Sequence, residues 1–241
     1  MRPDGRAPDE LRPVTLEPDF TDNPLASVLA RMGNTMVLCT VCEEDSVPRF
    51  LKGSGQGWIT AEYSMLPGST DTRGSRESMK GRPSGRTLEI QRLVGRSLRA
   101  TADLKAIGER TLTIDCDVLQ ADGGTRCASI TGGYAALAIA LKRLRARGAL
   151  AADPLRDSVA AVSVGIVDGA MVLDLPYVED SRAEVDMNVV ATGAGNFVEV
   201  QGTGEDGTFS PAQLADLTAL ALHGTRRLGE LQASAIAKAK A

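Results

Sequence analysis

Short apolar runs rich in β-branched residues alternate along the chain with longer segments of helical periodicity. The runs predict strands near residues 14–16, 27–30, 36–41, 57–62, 111–119, 159–167, 170–175, 184–191 and 196–201. Asp168-Gly169 lies between two of these runs and is typical of a two-residue hairpin turn. The helical pattern predicts helices at 87–105 and 130–147, and a third that begins at Ser210 with Pro211 and a capping-box Gln213.

The order of these elements predicts the fold class. Strands, a helix, a strand and a second helix are followed by four strands and a last helix. Because a doubly wound sheet requires regular βα alternation, we expect an α+β fold with helices packed on mixed sheets. A segment rich in Gly, Asp and Pro near 148–157 separates two parts. We therefore expect one domain over 1–241, with an N-terminal part at about 10–145 and a C-terminal part at about 156–225.

Composition supports a globular protein with few aromatic stacking surfaces. The chain has 241 residues, of which 43% are hydrophobic and only 3% aromatic. This length allows a substantial core, made mainly of aliphatic side chains. The first residues, MRPDGRAPDELRP, do not resemble a secretory signal, and no apolar run is long enough to cross a bilayer. We therefore expect a cytoplasmic protein without a membrane partner.

Two residue types that often mark sites are interpreted here as structural. Cys39 and Cys42 form a C-x-x-C, but it lies in a predicted buried strand, where residues three apart point to opposite faces. We expect both to be small buried hydrophobic residues rather than zinc ligands. The single histidine, His223, lies in a helical stretch with no nucleophile motif nearby. Histidine-dependent catalysis is therefore not expected.

Positive charge is concentrated between residues 73 and 99, although the whole chain has a net charge of −4. This block contains Arg73, Arg76, Lys80, Arg82, Arg86, Arg92, Arg96 and Arg99 against Glu77 and Glu89, a local balance of +6. A solvated face is the ordinary interpretation of such a run. Two observations favour a polyanion instead: arginine predominates, and Arg92, Arg96 and Arg99 form a stripe opposite the apolar face of the predicted helix.

The junction Gly123-Gly124-Thr125-Arg126 lies between a predicted strand and a predicted helix. Two glycines let backbone N–H groups approach an anion, the start of the helix adds a positive dipole end, and the guanidinium can clamp the anion. A plain strand-to-helix turn is the alternative, and the turn alone does not decide between them.

Three long segments, in this order, resemble the bacterial ribonuclease PH family: GRTLEIQRLVGRSLR at 85–99, IDCDVLQADGGTR at 114–126 and LDLPYVEDSRAEVDMNVV at 173–190. The resemblance extends from Arg2 through the last helix. It implies the fold of the second domain of ribosomal protein S5 and a homohexameric ring, a trimer of dimers. It also implies a phosphate-dependent 3′→5′ exoribonuclease that trims tRNA precursors and other RNA, releases nucleoside 5′-diphosphates and can run in reverse as a nucleotidyltransferase.

The resemblance also implies roles for particular residues. Inorganic phosphate would be held by Arg86, Gly124, Thr125 and Arg126, and Mg²⁺ by Asp180 and Asp186; the expected catalytic residues are Arg86, Arg126, Asp180 and Asp186. Alternation along the predicted strand places Asp186 opposite the apolar face. Asp115 and Asp117 are rival metal ligands, ranked behind. RNA would be guided by Arg73, Arg76, Arg92, Arg96 and Arg99, although Arg92 and Arg99 are also candidates for subunit contacts.

Two positions depart from the family pattern. Gly68 stands where relatives commonly have Arg, and Cys127 replaces a more usual Thr. Two other functions remain open from sequence. One is a catalytically inactive RNA-binding subunit of an exosome-like ring, although such subunits lose phosphate or carboxylate positions that are all present here. The other is a hydrolytic metal-dependent nuclease, for which Arg86 and the Gly-Thr-Arg turn would have no role.

Overall fold

The computed structural model describes residues 2–240, apart from the side chains of Ser78 and Lys80. The strands are β1 (Val14–Pro18), β2 (Ala26–Met32), β3 (Thr35–Glu44), β4 (Trp58–Met65), β5 (Thr111–Gln120), β6 (Val159–Val167), β7 (Ala170–Leu173), β8 (Val185–Thr192) and β9 (Phe197–Gly204). The α-helices are α1 (Gly85–Arg99), α2 (Leu104–Ile107), α3 (Thr125–Ala146), α4 (Tyr177–Asp180) and α5 (Pro211–Lys238). Short 3₁₀ turns cover Arg49–Leu51 and Glu77–Lys80.

The strands form two sheets that enclose a central helix. The first sheet has five strands in the order β1-β2-β3-β5-β4, and only the β4–β5 pair is parallel. The second sheet has the order β7-β6-β8-β9 and is antiparallel throughout. Helix α3 packs against β2 and β3 of the first sheet and against β6 of the second. The predicted α+β fold, with helices on mixed sheets, is confirmed.

Helix α3 is buried on nearly all sides because its sequence has no polar stripe before its last two turns. Small residues allow the close packing: a Cβ added at Gly132 would stand 2.7 Å from Cβ of Ala30 and 2.9 Å from Sγ of Cys39. Residues from both sheets and from α3 belong to one hydrophobic cluster. The core is therefore continuous across the two halves of the chain. The first residues of α3 contact both sheets, through Thr125 to β4 and through Cys127 to β8.

Two predicted helices differ in their limits. The helix predicted at 87–105 ends at Arg99, because Asp103 caps the separate helix α2 by accepting hydrogen bonds from the amides of Lys105 and Ala106. The helix predicted at 130–147 begins five residues earlier, at Thr125, and ends before Gly148, whose φ is +76°. The predicted hairpin turn is confirmed, since Asp168 and Gly169 both have positive φ, as a type I′ turn requires.

The cysteine interpretation is correct for Cys39 and wrong for Cys42. Strand alternation buries Cys39 and leaves Cys42 exposed on the outer face of β3. Cys39 lies directly opposite Cys116 on β5, and their thiols stand 3.8 Å and 3.7 Å from the carbonyl oxygen of Ser129. Over residues 2–240, no helix combines the length and the hydropathy needed to cross a membrane.

Candidate active site

The turn between β5 and α3 has a backbone that only glycine adopts easily. Gly123 and Gly124 have φ of +74° and +67°. A Cβ at Gly123 would stand 2.5 Å from the carbonyl oxygen of Leu175, so the turn packs tightly on the chain before α4. Gly124 is the N-cap of α3, and no side chain caps this end. Its first amides are therefore available as donors at the positive end of the helix.

The first two residues of α3 connect this turn to other parts of the fold. Thr125 is buried, and its Oγ1 lies 2.9 Å from the hydroxyl of Tyr63 on β4. Nη1 of Arg126 donates to Oε1 of Gln201 on β9 at 2.5 Å and lies 3.4 Å from Oε1 of Glu89 on α1. The side chain of Arg126 is 14% exposed. It therefore occupies a cleft between α1 and the second sheet rather than open solvent.

Arg86 lies in the first turn of α1, whose N-cap Ser84 accepts a hydrogen bond from the amide of Thr87. Its side chain is exposed. The charge of Arg86, like that of Arg126, lowers the pKa of Asp180 and of Asp186, against the larger effect of burial, which raises both. The four residues predicted to be catalytic therefore lie close enough for both arginine charges to act on both carboxylates.

The two carboxylates come from adjacent elements of the second half of the chain. Asp180 is the last residue of α4, and Asp186 alternates on β8 with the buried Val185 and Met187. Burial is the largest cause that raises the pKa of Asp186, and together with the charges of Asp180 and Glu205 it brings this pKa to about 6, against the opposing charges of Arg126 and Arg86. Oδ1 of Asp186 is buried and has no hydrogen-bond partner among the described residues. An ionised oxygen in this position needs a cation.

This donor set fits a magnesium ion. Mg²⁺ commonly binds one or two protein carboxylates and completes its shell with water and phosphate oxygens. Within residues 2–240 no cluster of three or more Asp, Glu, His or Cys side chains is placed to hold a metal by itself. The unpartnered oxygen of Asp186 beside Asp180 therefore fits an ion that shares its shell with the substrate, rather than a closed structural site.

The rival carboxylates Asp115 and Asp117 do not join this site. They alternate on β5 with Ile114, Cys116 and Val118, which face α3, so both aspartates lie on the opposite face of the first sheet. There they neighbour Glu62 on β4, which lies opposite Asp115 in the register. Burial raises the pKa of both, and the charge of Glu62 raises it further.

Several residues near the site were missed in the sequence. Glu205 follows β9 and influences both Asp180 and Asp186 electrostatically. Thr203 lies opposite Asp186 in the β8–β9 ladder, and Gln201 lies opposite Asn188. The alternation of Gln201, Thr203 and Glu205 is a strand signal that could have identified this polar face. Tyr63 and Arg12 gave no such signal, because long-range packing alone brings them to the turn.

Cys127, at a position where the family usually has threonine, still provides a hydrogen-bond donor through its thiol. Its buried thiol donates to Oδ1 of Asn188 on β8 at 3.3 Å, and burial raises its pKa. The substitution therefore leaves a hydrogen bond between α3 and the second sheet, one residue after Arg126.

The predicted RNA-binding arginines are not equivalent in the structure. Arg92 and Arg96 are exposed on α1, and Nη2 of Arg96 lies 2.9 Å from Oε2 of Glu199. Arg99 is half-buried: it donates to the carbonyl oxygen of Ile59 and lies 4.4 Å from the ring centroid of Trp58. A guanidinium held by a cation–π contact is not part of an open row.

Arg73 and Arg76 are exposed in the segment between β4 and α1, which also contains the exposed Gly68. Apart from the 3₁₀ turn at Glu77–Lys80, this segment has no regular secondary structure.

Sequence comparison defines the class of protein. The model of the 3′ exoribonuclease family, domain 1, matches residues 10–142, and that of domain 2 matches residues 157–224. The chain belongs to the 3′ exoribonuclease family. Among its relatives is Ribonuclease PH of Corynebacterium kroppenstedtii, which is 60% identical over 238 residues, covering 99% of this chain and 94% of that protein.

Solved structures share the fold. An Archaeoglobus fulgidus exosome with RNA bound to the active site superposes with a TM-score of 0.79 at 24% identity, over 95% of this chain and 91% of the other. Rice (Oryza sativa) Rrp46 gives 0.78 at 19% identity, over 98% and 100% of the two chains. An archaeal exosome core gives 0.76 at 22% identity, over 96% and 91%. At these identities the likeness concerns the fold alone.

Proposed function

We propose that this chain is a phosphate-dependent 3′→5′ exoribonuclease that removes nucleotides from RNA 3′ ends and, in reverse, acts as a nucleotidyltransferase. One observation carries the proposal: the charges of Arg86 and Arg126 act on both Asp180 and Asp186, close to the uncapped start of α3. The 60% identity to Ribonuclease PH over nearly the whole chain supports it. Two cations beside two carboxylates suit a reaction that joins two phosphate groups.

Inorganic phosphate is the nucleophile in this proposal. The amides at Gly124 and Thr125 and the guanidiniums of Arg86 and Arg126 hold it and offset its repulsion from RNA. A phosphate oxygen attacks the terminal phosphodiester phosphorus, and the bond from that phosphorus to the preceding 3′ oxygen breaks. The released 3′ oxygen takes up a proton, and the products are a nucleoside 5′-diphosphate and RNA shortened by one nucleotide. Positioning and charge stabilisation supply the catalysis.

Asp180 and Asp186 would hold Mg²⁺ in this site. When bound, the ion supplies positive charge at the scissile phosphate. The role of the chain is to hold the two carboxylates at a fixed separation and to exclude water around Asp186. The burial that raises the pKa of Asp186 reflects this exclusion of water. The third nearby carboxylate, Glu205, is exposed at the end of β9.

The RNA path and the assembly follow from the same proposal. Exposed Arg73, Arg76, Arg92 and Arg96 would bind the RNA backbone, whereas Arg99 has structural partners on β4. We propose tRNA precursors as substrates, a cytoplasmic location and a homohexameric ring built as a trimer of dimers. The archaeal exosome core has the same fold. A molar mass from multi-angle light scattering of six times 25.3 kDa is the expected result for the ring.

One assay tests the reaction against its alternatives. The protein is incubated with a short single-stranded RNA and Mg²⁺, with and without inorganic phosphate, and the products are separated by chromatography. Nucleoside 5′-diphosphates that form only with phosphate are the expected result. Nucleoside monophosphates formed without phosphate would show a hydrolytic nuclease. RNA binding without any product would show an inactive ring subunit.

A further inference from the structure

Arg12 is a buried arginine that connects the two halves of the candidate site. It precedes β1, and it is 4% exposed. Nη1 donates to the carbonyl oxygen of Asp122 at 2.5 Å, and Nη2 lies 3.5 Å from that of Gly123, so one edge of the guanidinium holds the glycine turn. The other edge pairs with Asp174, through Nη2 to Oδ1 at 2.7 Å and Nε to Oδ2 at 3.1 Å.

Asp174, the ion-pair partner of Arg12, lies on the segment that leads to Asp180. Its carboxylate is 1% exposed and also accepts the backbone N–H of Arg12 at 2.8 Å. Its φ of +55° is uncommon for a residue with a side chain. Five residues separate Asp174 from Asp180, and the turn at Gly123 packs on Leu175 between them. The ion pair therefore lies between the phosphate turn and the segment that leads to the metal carboxylates.

Two more arginines of the N-terminal segment hold the same loop. Nη2 of Arg2 and Nη2 of Arg6 donate to the carbonyl oxygen of Asp174 at 3.1 Å and 3.0 Å. Arg2 also forms a buried pair with Glu179, at 2.7 Å and 3.0 Å, immediately before Asp180. Residues 2–12 thus fasten both ends of the loop that begins at Asp174 and ends at Asp180.

We propose that Arg12 is a positioning residue, whose bridge from the glycine turn to Asp174 sets the separation between bound phosphate and the carboxylates Asp180 and Asp186. This inference rests on the proposed function. The burial of this pair is weak evidence for a purely stabilising role, because well-packed hydrophobic residues can often replace a buried ion pair without loss of stability. In-line attack requires the two phosphate groups in a fixed register, and a displacement of about 1 Å can reduce the rate by about 100-fold.

The test separates binding from positioning by using two variants. Arg12→Gln with Asp174→Asn removes both charges together and places Asn, which tolerates positive φ, at position 174. Arg6, which lies 3.9 Å from Asp174, keeps its ion pair with Asp4 in this variant. Arg12→Lys keeps the positive charge beside Asp174 but cannot also span to Asp122 and Gly123. For both we expect kcat to fall by about 100-fold, while the dissociation constant of radiolabelled phosphate in equilibrium dialysis changes by less than about threefold.

An ion pair elsewhere in the fold, between Arg143 on α3 and Asp19, provides a control. Nη2 of Arg143 donates to Asp19, which, like Asp174, has a positive φ, here 58°. Arg143 lies about 25 Å from Arg126 along α3. Arg143→Gln with Asp19→Asn should leave kcat unchanged, and its melting temperature gives the cost of losing such a pair. The proposal is overturned if kcat stays near the wild-type value in either folded Arg12 variant, or if phosphate binding is lost in proportion to kcat. Absence of diphosphate products from the wild-type protein would instead refute the proposed function itself.

Discussion

The guanidinium of Arg126, near the start of α3, is hydrogen-bonded to the side-chain oxygen of Gln201 on the edge strand β9. This hydrogen bond, 2.5 Å long, connects α3 to the edge strand of the second sheet. The same nitrogen, Nη1, also lies 3.4 Å from Oε1 of Glu89, so Arg126 is held in place before any anion arrives. A guanidinium held in this way stabilises charge without having to reorganise during the reaction.

Arg126→Ala is expected to lower phosphorolysis by about 10²- to 10³-fold, because it removes a fixed cation from the attacking phosphate. The measurement is the rate of nucleoside diphosphate release at low phosphate, with circular dichroism to verify folding. Arg145→Ala is the control: Arg145 lies on the same helix, is half exposed and pairs with Asp153 at the surface. Full activity of Arg126→Ala at low phosphate would contradict the site assignment.

Asp186→Asn is expected to abolish stabilisation by Mg²⁺. A ligand present at about 100 times its dissociation constant stabilises the folded state by about 2.7 kcal/mol. For Mg²⁺ this stabilisation requires the carboxylate of Asp186, which the substitution removes. The melting temperature of the wild-type protein should rise with Mg²⁺, while that of Asp186→Asn should not respond. Asp117→Asn lies on the far face of the first sheet and should respond like the wild type. An equal response of all three proteins would exclude Asp186 as a ligand.

Arg76→Ala is expected to reduce the salt dependence of RNA binding. Each phosphate contacted on a single strand contributes about 0.7 to the slope of log affinity against log salt, so one lost contact lowers the slope by about that amount. Fluorescence anisotropy with a labelled single-stranded RNA between low and moderate salt measures it. Arg156→Ala removes another exposed arginine, which is paired with Asp103, and should leave the slope unchanged. A slope near zero for the wild type would remove the arginine block from the RNA path.

Asp115→Asn is expected to stabilise the protein at pH 7.5. Burial raises the pKa of Asp115, and the charges of Glu62 and Asp117 raise it further. A carboxyl whose pKa is higher in the folded state destabilises the fold when ionised, and this cost disappears as pH falls through the raised pKa toward the unfolded value. Because the side chain is half exposed, water screens the repulsion, and the gain should be about 0.5 kcal/mol or less.

The pH dependence provides the check on Asp115→Asn. Urea unfolding at pH 7.5 should favour the variant, and the difference should vanish below about pH 4, where the wild-type carboxyl is protonated. Asp157→Asn should have the opposite sign. Burial acts to raise the pKa of Asp157, but hydrogen bonds from Thr192 and from backbone amides lower it overall. A pH-independent difference for Asp115→Asn would show that its charge is not the cause.

Local sequence signals predicted those features that depend on local structure. The apolar face of α1 is buried as its periodicity indicates, at Ile90, Leu93, Val94 and Leu98. Ser210 and Gln213 form the predicted capping box of α5. The alternation around Asp186 placed its carboxylate correctly opposite the buried Val185 and Met187. In each case residues within one or two turns, or on one strand, determine the outcome.

Features that depend on contacts between distant segments could not be predicted from local sequence patterns. The end of α1 is set by Asp103, whose amide donates to the carbonyl oxygen of Pro154, about 50 residues further along the chain. The cation–π contact of Arg99 with Trp58 removes one arginine from a stripe that periodicity alone makes uniform. Arg12 and Tyr63 reach the glycine turn only because the sheets and α3 are assembled. The assignment of phosphate, metal and RNA ligands stays a prediction that the variants above address.

The unequal exposure of the four cysteines provides an internal reporter of opening of the native fold. Cys42 is exposed on the outer face of β3, whereas Cys39 and Cys116 are enclosed against α3 and Cys127 is a buried residue of α3 itself. A thiol reagent should modify the sulfur of Cys42 first, and the other three only as fast as the layers around the central helix separate. The stoichiometry of labelling over time therefore measures breathing of the same helix whose first turn would hold the anion.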